Sequence, residues 1–142
     1  VVCEPSFGVE RALLVFLYES YSVGEKGKII LKINPKLAPI KAAIFPIVKK
    51  PEFEEIAENI FKKLKKKFNV IYDKSGSVGR RYARNDEIGT PFCITIDDET
   101  LNDKTVTIRD RNTTEQKRVK IEELRYILDD LIDGEIKFKD LK

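Results

Sequence analysis

Two groups of residues in this chain have types and spacing suited to chemistry. The first is the run Glu4-Pro5-Ser6-Phe7-Gly8-Val9-Glu10-Arg11. Its Arg11 carries a guanidinium, which is always charged, planar and bidentate toward phosphate. The plainer account of this run is an ordinary Glu4–Arg11 salt bridge where a strand gives way to a helix. The second group is Arg80, Arg81, Tyr82 and Arg84, with Arg109 and Arg111 beyond them. Arg80 and Arg84 stand four apart, so they share one face of a helix, with Tyr82 nearby. Unpaired bases are read by hydrogen bonds to their edges and by stacking on aromatic or guanidinium planes. The outward Arg109 and Arg111 can add phosphate and base-edge contacts. The plainer account is a solvated basic helix and hairpin, with Arg84 pairing Glu87 at i, i+3.

Other chemistry is excluded by what the sequence lacks. There is no histidine, and the two cysteines, Cys3 and Cys93, show no metal-ligand spacing. No metal site is expected. Without histidine the usual neutral-pH general base is missing, and with it the Ser-His and Cys-His nucleophile arrangements. No disulfide framework appears, which points to a reducing cytoplasm. No apolar run approaches the ~20 residues needed to span a bilayer, so no membrane role is expected.

Charge is sorted along the chain, although the net value over 142 residues is only +3. Between Lys62 and Arg84 nine basic residues face the single acid Asp73; between Lys104 and Lys120 six face two. The stretch from Glu122 to Glu135 holds six acids and one Arg125. Such patches are expected when one side meets a polyanion. The lysines at 62, 63, 65, 66 and 67 read first as a polar helix face, and can add nonspecific phosphate attraction.

The elements that must position these residues follow from periodicity. The chain opens on Val1-Val2-Cys3-Glu4-Pro5, which reads as the middle of a strand, so a fragment of a longer protein is expected. Val1 to Glu4 read as a buried strand end, and Gly8 to Tyr21 as a helix apolar all round, hence buried in a larger body. Ser22 to Lys28 is a loop and Ile29 to Ile33 a short apolar stretch. Asn34-Pro35-Lys36-Leu37-Ala38-Pro39 is a linker, and the domain boundary falls between residues 36 and 37. Ala42 to Val48 is a wholly apolar run, as buried parallel strands show. Pro51 opens a helix with Phe53, Ile56, Ala57, Ile60, Phe61, Leu64 and Phe68 at helical spacing. Asn69 to Asp73 is a second strand. Ser77 can cap a short helix that Gly89 and Pro91 end. Phe92 to Asp97 and Thr105 to Arg111 alternate as strands, and Asn112-Thr113-Thr114 turns the second into Gln116 to Ile121. A helix with Ile121, Leu124, Ile127, Leu128, Leu131 and Ile132 on its core side closes the pattern. The tail 135–142 is left open. This β-α-β-α-β-β-β-α order predicts an α/β fold with a mixed five-stranded sheet flanked by helices.

Two segments carry a family resemblance. Residues 4–11 are similar to motif 3 of class II aminoacyl-tRNA synthetases, and the Glu-Pro-Ser opening resembles the glycine enzymes. The run from Ser75 to Phe92, Ser-Gly-Ser-Val-Gly-Arg-Arg-Tyr-Ala-Arg-Asn-Asp-Glu-Ile-Gly-Thr-Pro-Phe, resembles the signature of the glycyl enzymes' anticodon-binding domain. Leu37-Ala38-Pro39-Ile40-Lys41 and Asp103 to Arg109 fit the same family. The resemblance covers nearly the whole chain.

It implies the C-terminal part of a glycyl-tRNA synthetase. Residues 1–36 would be a strand-helix remnant of the catalytic domain, and residues 37–142 the anticodon-binding domain of class IIa synthetases. The parent reaction joins glycine to tRNA-Gly at the expense of ATP with Mg²⁺, in the cytoplasm. It needs no covalent enzyme intermediate, so catalysis is positioning and charge stabilisation. By resemblance Arg11 grips the γ-phosphate of ATP beside Gly8, Val9 and Glu10, and Gly8 lets the backbone approach the nucleotide. Glu4 pairs with the glycine ammonium, and Pro5, Ser6, Phe7 and Gly8 shape the glycine pocket. Arg80, Arg81, Tyr82, Arg84, Arg109 and Arg111 contact the anticodon. Motifs 1 and 2 are absent from the sequence, and with them the homodimer interface and the rest of the ATP site. This chain alone is therefore expected to bind neither ATP nor glycine and to be inactive. Two alternatives stay open: a noncatalytic nucleic-acid-binding module of the same fold, resembling a polymerase accessory subunit, and a class IIa synthetase for histidine, threonine or proline.

Overall fold

The computed structural model describes residues 2–24 and 27–141. Helix α1 (Val9–Ser20) starts after Gly8, and none of its residues is buried. The length is close to the expected Gly8 to Tyr21, and the larger body expected to bury the helix is not among the described residues. Val2, Val9, Leu13, Phe16 and Tyr18 are all exposed, because nothing among the described residues covers them. Residues 2–4 form no strand and are exposed, which corrects the buried strand end; Val1 lies outside the described residues. Strands β1 (Tyr21–Val23) and β2 (Ile29–Leu31) pair antiparallel, Tyr21 opposite Leu31, in a hairpin that the sequence reading split into loop and apolar stretch.

The main sheet has five strands in the order β4-β3-β5-β6-β7. They are β3 (Ala42–Pro46), β4 (Val70–Tyr72), β5 (Phe92–Ile96), β6 (Thr105–Asp110) and β7 (Gln116–Lys120). β3 pairs parallel with β4 and β5, while β5–β6 and β6–β7 are antiparallel. This is the predicted mixed sheet. Parallel pairing follows from the helical crossovers α2 (Pro51–Leu64) and α3 (Val78–Glu87); the Asn112-Thr113-Thr114 turn gives the antiparallel end.

Alternation sends side chains to two faces. Ala42, Ile44, Ile94, Ile96, Val106, Ile108 and Val119 form one, buried beneath α2 and α5 (Leu124–Asp133). Phe53, Ala57, Ile60 and Leu64 from α2 meet Leu124, Leu128 and Leu131 from α5 there. The tail ends in a 3-10 turn, Phe138–Asp140, whose buried Phe138 ring stacks on Phe92 at 6.5 Å. The opposite face carries Ala43, Phe45 and Cys93, covered by Tyr82 of α3.

One helix was missed: α4 (Asp98–Asp103). Its N-cap is a reciprocal box, with Asp97 Oδ1 accepting from Thr100 N–H at 3.2 Å and Thr100 Oγ1 accepting from Asp97 N–H at 3.1 Å. Ser77 does precede α3, but its side chain makes no capping bond. Gly89 ends α3 at φ +81°, a backbone state that a side chain rarely adopts. A Cβ there would also come within 3.2 Å of the Leu31 carbonyl, so Gly89 lets β2 lie directly against α3.

Candidate nucleic-acid interface

α3 covers β3 and β5 but stops short of β6 and β7. Cross-strand register places Thr107 opposite Arg118 and Arg109 opposite Gln116, on the face that α3 occupies. Between this polar strip, α3 and β2 lies a cleft of ≈ 580 Å³, lined by Lys28, Ile30, Tyr82, Asp86, Arg109 and Gln116 among others.

The centre of the cleft is a stacked ion pair. Arg109 donates from Nη1 and Nη2 to the two Asp86 carboxylate oxygens at 2.9 and 3.0 Å. The guanidinium lies 4.7 Å from the Tyr82 ring centroid. The Tyr82 hydroxyl hydrogen-bonds Thr95 Oγ1 at 2.7 Å, and its ring meets Phe45 edge-on. Burial works against the Arg109 charge, but the Asp86 bonds outweigh it, and Arg109 holds its proton above the ordinary arginine range. Burial raises the Tyr82 phenol and pushes the Cys93 thiol up to about 12, so neither ionises at neutral pH.

A second network continues along the strip. Arg118 donates to Asp97 Oδ2 and Oδ1 at 2.8 and 3.1 Å and to Thr105 Oγ1 at 2.8 Å. Burial would raise the Asp97 carboxyl, but Arg118 and Thr100 hold it below the usual carboxylate range.

The six expected contact residues separate here. Tyr82 and Arg109 line the cleft. Arg80 and Arg84 are exposed on another side of α3, Arg84 roughly 160° round the axis from Asp86 at 3.6 residues per turn. Arg84 pairs with Asp73, not Glu87, and also donates to the Ser75 carbonyl at 2.8 Å. Arg111 corrects the expectation of an outward side chain, and Arg81, expected at the anticodon, is buried as well, the two being 1% and 2% exposed. Arg81 donates to the carbonyls of Gly76 and Pro46; Arg111 donates to those of Gly89 and Ile33 at 2.6 and 2.7 Å. Their charge is occupied in tying loops to the sheet. Arg109 is also buried, 7% exposed, because Asp86 draws it down onto Tyr82.

Sequence reasoning missed Asp86, Lys28, Gln116 and Arg118. Asp86 stands four residues after Tyr82 on α3, a spacing that puts both on one helix face. Gln116 and Arg118 continue the outward alternation of Thr107 and Arg109. Lys28 gave no signal.

The other predicted group lies at the start of α1. Ser6, Phe7, Gly8 and Arg11 line a shallow, open hollow of ≈ 450 Å³, whereas Glu4, Pro5, Val9 and Glu10 do not. No Glu4–Arg11 ion pair occurs among the described residues. A Cβ on Gly8 would meet only Arg11 side-chain carbons at 3.8–3.9 Å, ordinary contact. The local fold therefore does not require glycine there. As a site for ATP with Mg²⁺ the hollow is incomplete. It offers one guanidinium for phosphate, and no carboxylate that could hold magnesium is among the residues lining it.

Residues 41–131, from before β3 through most of α5, match the family described as anticodon binding domain. The chain belongs to that family. The chain as a whole is also similar to parts of longer proteins. It is 54% identical over 131 residues to the glycine–tRNA ligase of Rhodopirellula baltica, covering 87% of this chain and 24% of that protein. To the glycine–tRNA ligase of Pyrococcus horikoshii it is 52% identical over 134 residues, 94% of this chain and 24% of the relative. To that of Clostridium perfringens it is 50% identical over 136 residues, 90% and 29%. The anticodon-binding domain and its N-terminal extension thus span about a quarter of the length of these curated relatives. No helix among the described residues is long and apolar enough to cross a membrane.

Proposed function

We propose that this chain is the C-terminal part of a glycine–tRNA ligase and that it recognises the anticodon arm of tRNA-Gly. The carrying observation is the anticodon-binding-domain match together with relatives at 50–54% identity that are glycine–tRNA ligases. Residues 37–142 are the recognition domain. Residues 1–36 contribute motif 3 to an active site that further residues complete, in a cytoplasmic homodimer.

In this reading an unstacked anticodon base enters the cleft and lies against the Tyr82–Arg109 pair. Asp86 fixes the plane of the guanidinium, so the base meets a rigid surface that loses little freedom on binding. Lys28, Thr114 and Gln116 offer hydrogen bonds from the rim. Arg80 and Arg84, on the exposed side of α3, hold backbone phosphates. Arg81 and Arg111 act only through the loops that they fix.

At the other end Arg11 binds a phosphate of ATP, and Glu4 and Ser6 face glycine. The absence of any steric need for glycine at position 8 among the described residues supports this, since a small residue there leaves room for a ligand. The hollow at α1 is open and is lined by one guanidinium and no carboxylate, which supports the reading that the chain alone binds neither ATP nor glycine and does not aminoacylate.

The test compares binding of tRNA-Gly with that of the same tRNA carrying an altered anticodon, each at two salt concentrations. Preference for the glycine anticodon, about tenfold or more, with the ratio preserved as salt rises, is the expected result. Equal affinity for the two at both salts would remove recognition and leave electrostatics alone.

A further inference from the structure

The two basic runs of the sequence, far apart along the chain, meet on the sheet face opposite α3. Lys63 of α2, Lys66 in the turn after it, Lys104 before β6, Lys120 at the end of β7 and Arg125 with Tyr126 from α5 line two adjoining clefts of ≈ 290 and ≈ 390 Å³. Five cations there face two acids, Asp103 and Glu122, among the residues lining either cleft. Lys63, Lys66, Lys104 and Arg125 form no ion pair among the described residues, and Lys120 reaches only the exposed Glu123 at 3.7 Å. The Tyr126 ring is 69% exposed among these charges. The hydrophobic residues on the floor, Ile60, Leu64 and Leu124, are almost fully buried, so the surface offers charge and one aromatic plane rather than an apolar groove.

Lys104 supplies an independent sign. It caps α4 in the left-handed region, at φ +55°, where glycine or asparagine would be the relaxed choice. Its carbonyl accepts from Ile121 N–H at 3.0 Å, which fixes this corner against the end of β7. A lysine held in a strained backbone state, with its side chain free among other cations, is better explained by a ligand than by the fold.

We propose that this face is a second RNA-binding surface, separate from the α3 cleft. It grips sugar-phosphate backbone through Lys63, Lys66, Lys104 and Lys120 and stacks an unpaired base on Tyr126, without reading sequence. It requires no anticodon, so it stands or falls independently of the recognition proposed above.

The probe is fluorescently labelled dodecauridylate, which contains no glycine anticodon, titrated with the full chain by anisotropy at several salt concentrations. The double change K63Q/K120Q is expected to weaken binding about tenfold at low salt. It should also lower the slope of log Kd against log salt by about 1.4, two phosphate contacts at ~0.7 each. The charge-matched K49Q/K50Q, on the β3–α2 loop away from both clefts, should leave affinity within about twofold. K104G separates binding from folding, since it should raise the melting temperature and still weaken the RNA complex. No binding by the unmodified chain, equal losses in the two double variants, or unchanged affinity in K104G would each overturn the proposal. Competition by a twelve-residue polyglutamate as effective as dodecauridylate itself would overturn it in favour of an acidic protein segment.

Discussion

Asp86 and Arg109 form an ion pair shielded from water on most sides, and such pairs are unforgiving when only one partner is removed. Asp86→Ala leaves the guanidinium charged and buried, and should cost about 3–5 kcal/mol in urea denaturation. Adding Arg109→Ala should recover part of that loss, so the double-mutant cycle is strongly non-additive. A purely additive cycle would mean that the pair contributes no coupling. Asp97 gives a pH prediction of the same kind. Its carboxyl titrates lower in the folded chain than in the unfolded one, so the folded state binds fewer protons in acid. Its stabilising effect is complete above the ordinary aspartate value of ~3.9 and disappears as pH falls through the lower folded value. Asp97→Asn should therefore flatten the acid side of the stability profile below about pH 4 while leaving its slope near neutrality unchanged.

At the scale of elements, the helix–sheet interface is the part most exposed to volume loss. Leu128 is fully buried between α5 and the sheet, and Leu128→Ala should destabilise by about 2–5 kcal/mol, read from the denaturation midpoint. Gly89 is a different kind of constraint. Gly89→Ala forces a side chain into a left-handed backbone state and toward a carbonyl, and should cost at least about 1 kcal/mol. It should also speed amide exchange in β2, which a simple loss of α3 would not do selectively. These elements were legible to very different degrees. Strand β3 announced itself by apolar content, β5 by alternation, and α2 by its period. α4 did not, because six residues carry too little periodicity, and only the Asp97-x-x-Thr100 box marks it. The burial of Arg81 and Arg111 was not legible either. Both read as surface cations, and only the packed structure brings backbone carbonyls close enough to absorb their N–H groups.

For the whole molecule, the sequence displayed sorted charge but not its geometry. Arg84 and Arg109, expected to act together, lie on different sides of α3. Conversely, lysines more than forty residues apart come to share a surface. Salt dependence should reflect this. Arg80→Gln with Arg84→Gln should weaken tRNA binding nearly equally for every anticodon and reduce the salt slope, since phosphate contacts carry no sequence information. Lys28→Ala with Gln116→Ala should instead narrow the preference between anticodons, measured as the ratio of dissociation constants at fixed salt.

One wall of the α3 cleft is not part of the five-stranded sheet domain at all. Lys28 and Ile30 come from the β-hairpin that precedes it, and the hairpin is moored by the Arg111–Ile33 bond and the close seat of Leu31 on Gly89. The aperture is therefore a property of a joint. A ligand wedged there braces the joint, and any movement of the preceding segment that swings the hairpin changes the grip on that ligand by the same factor.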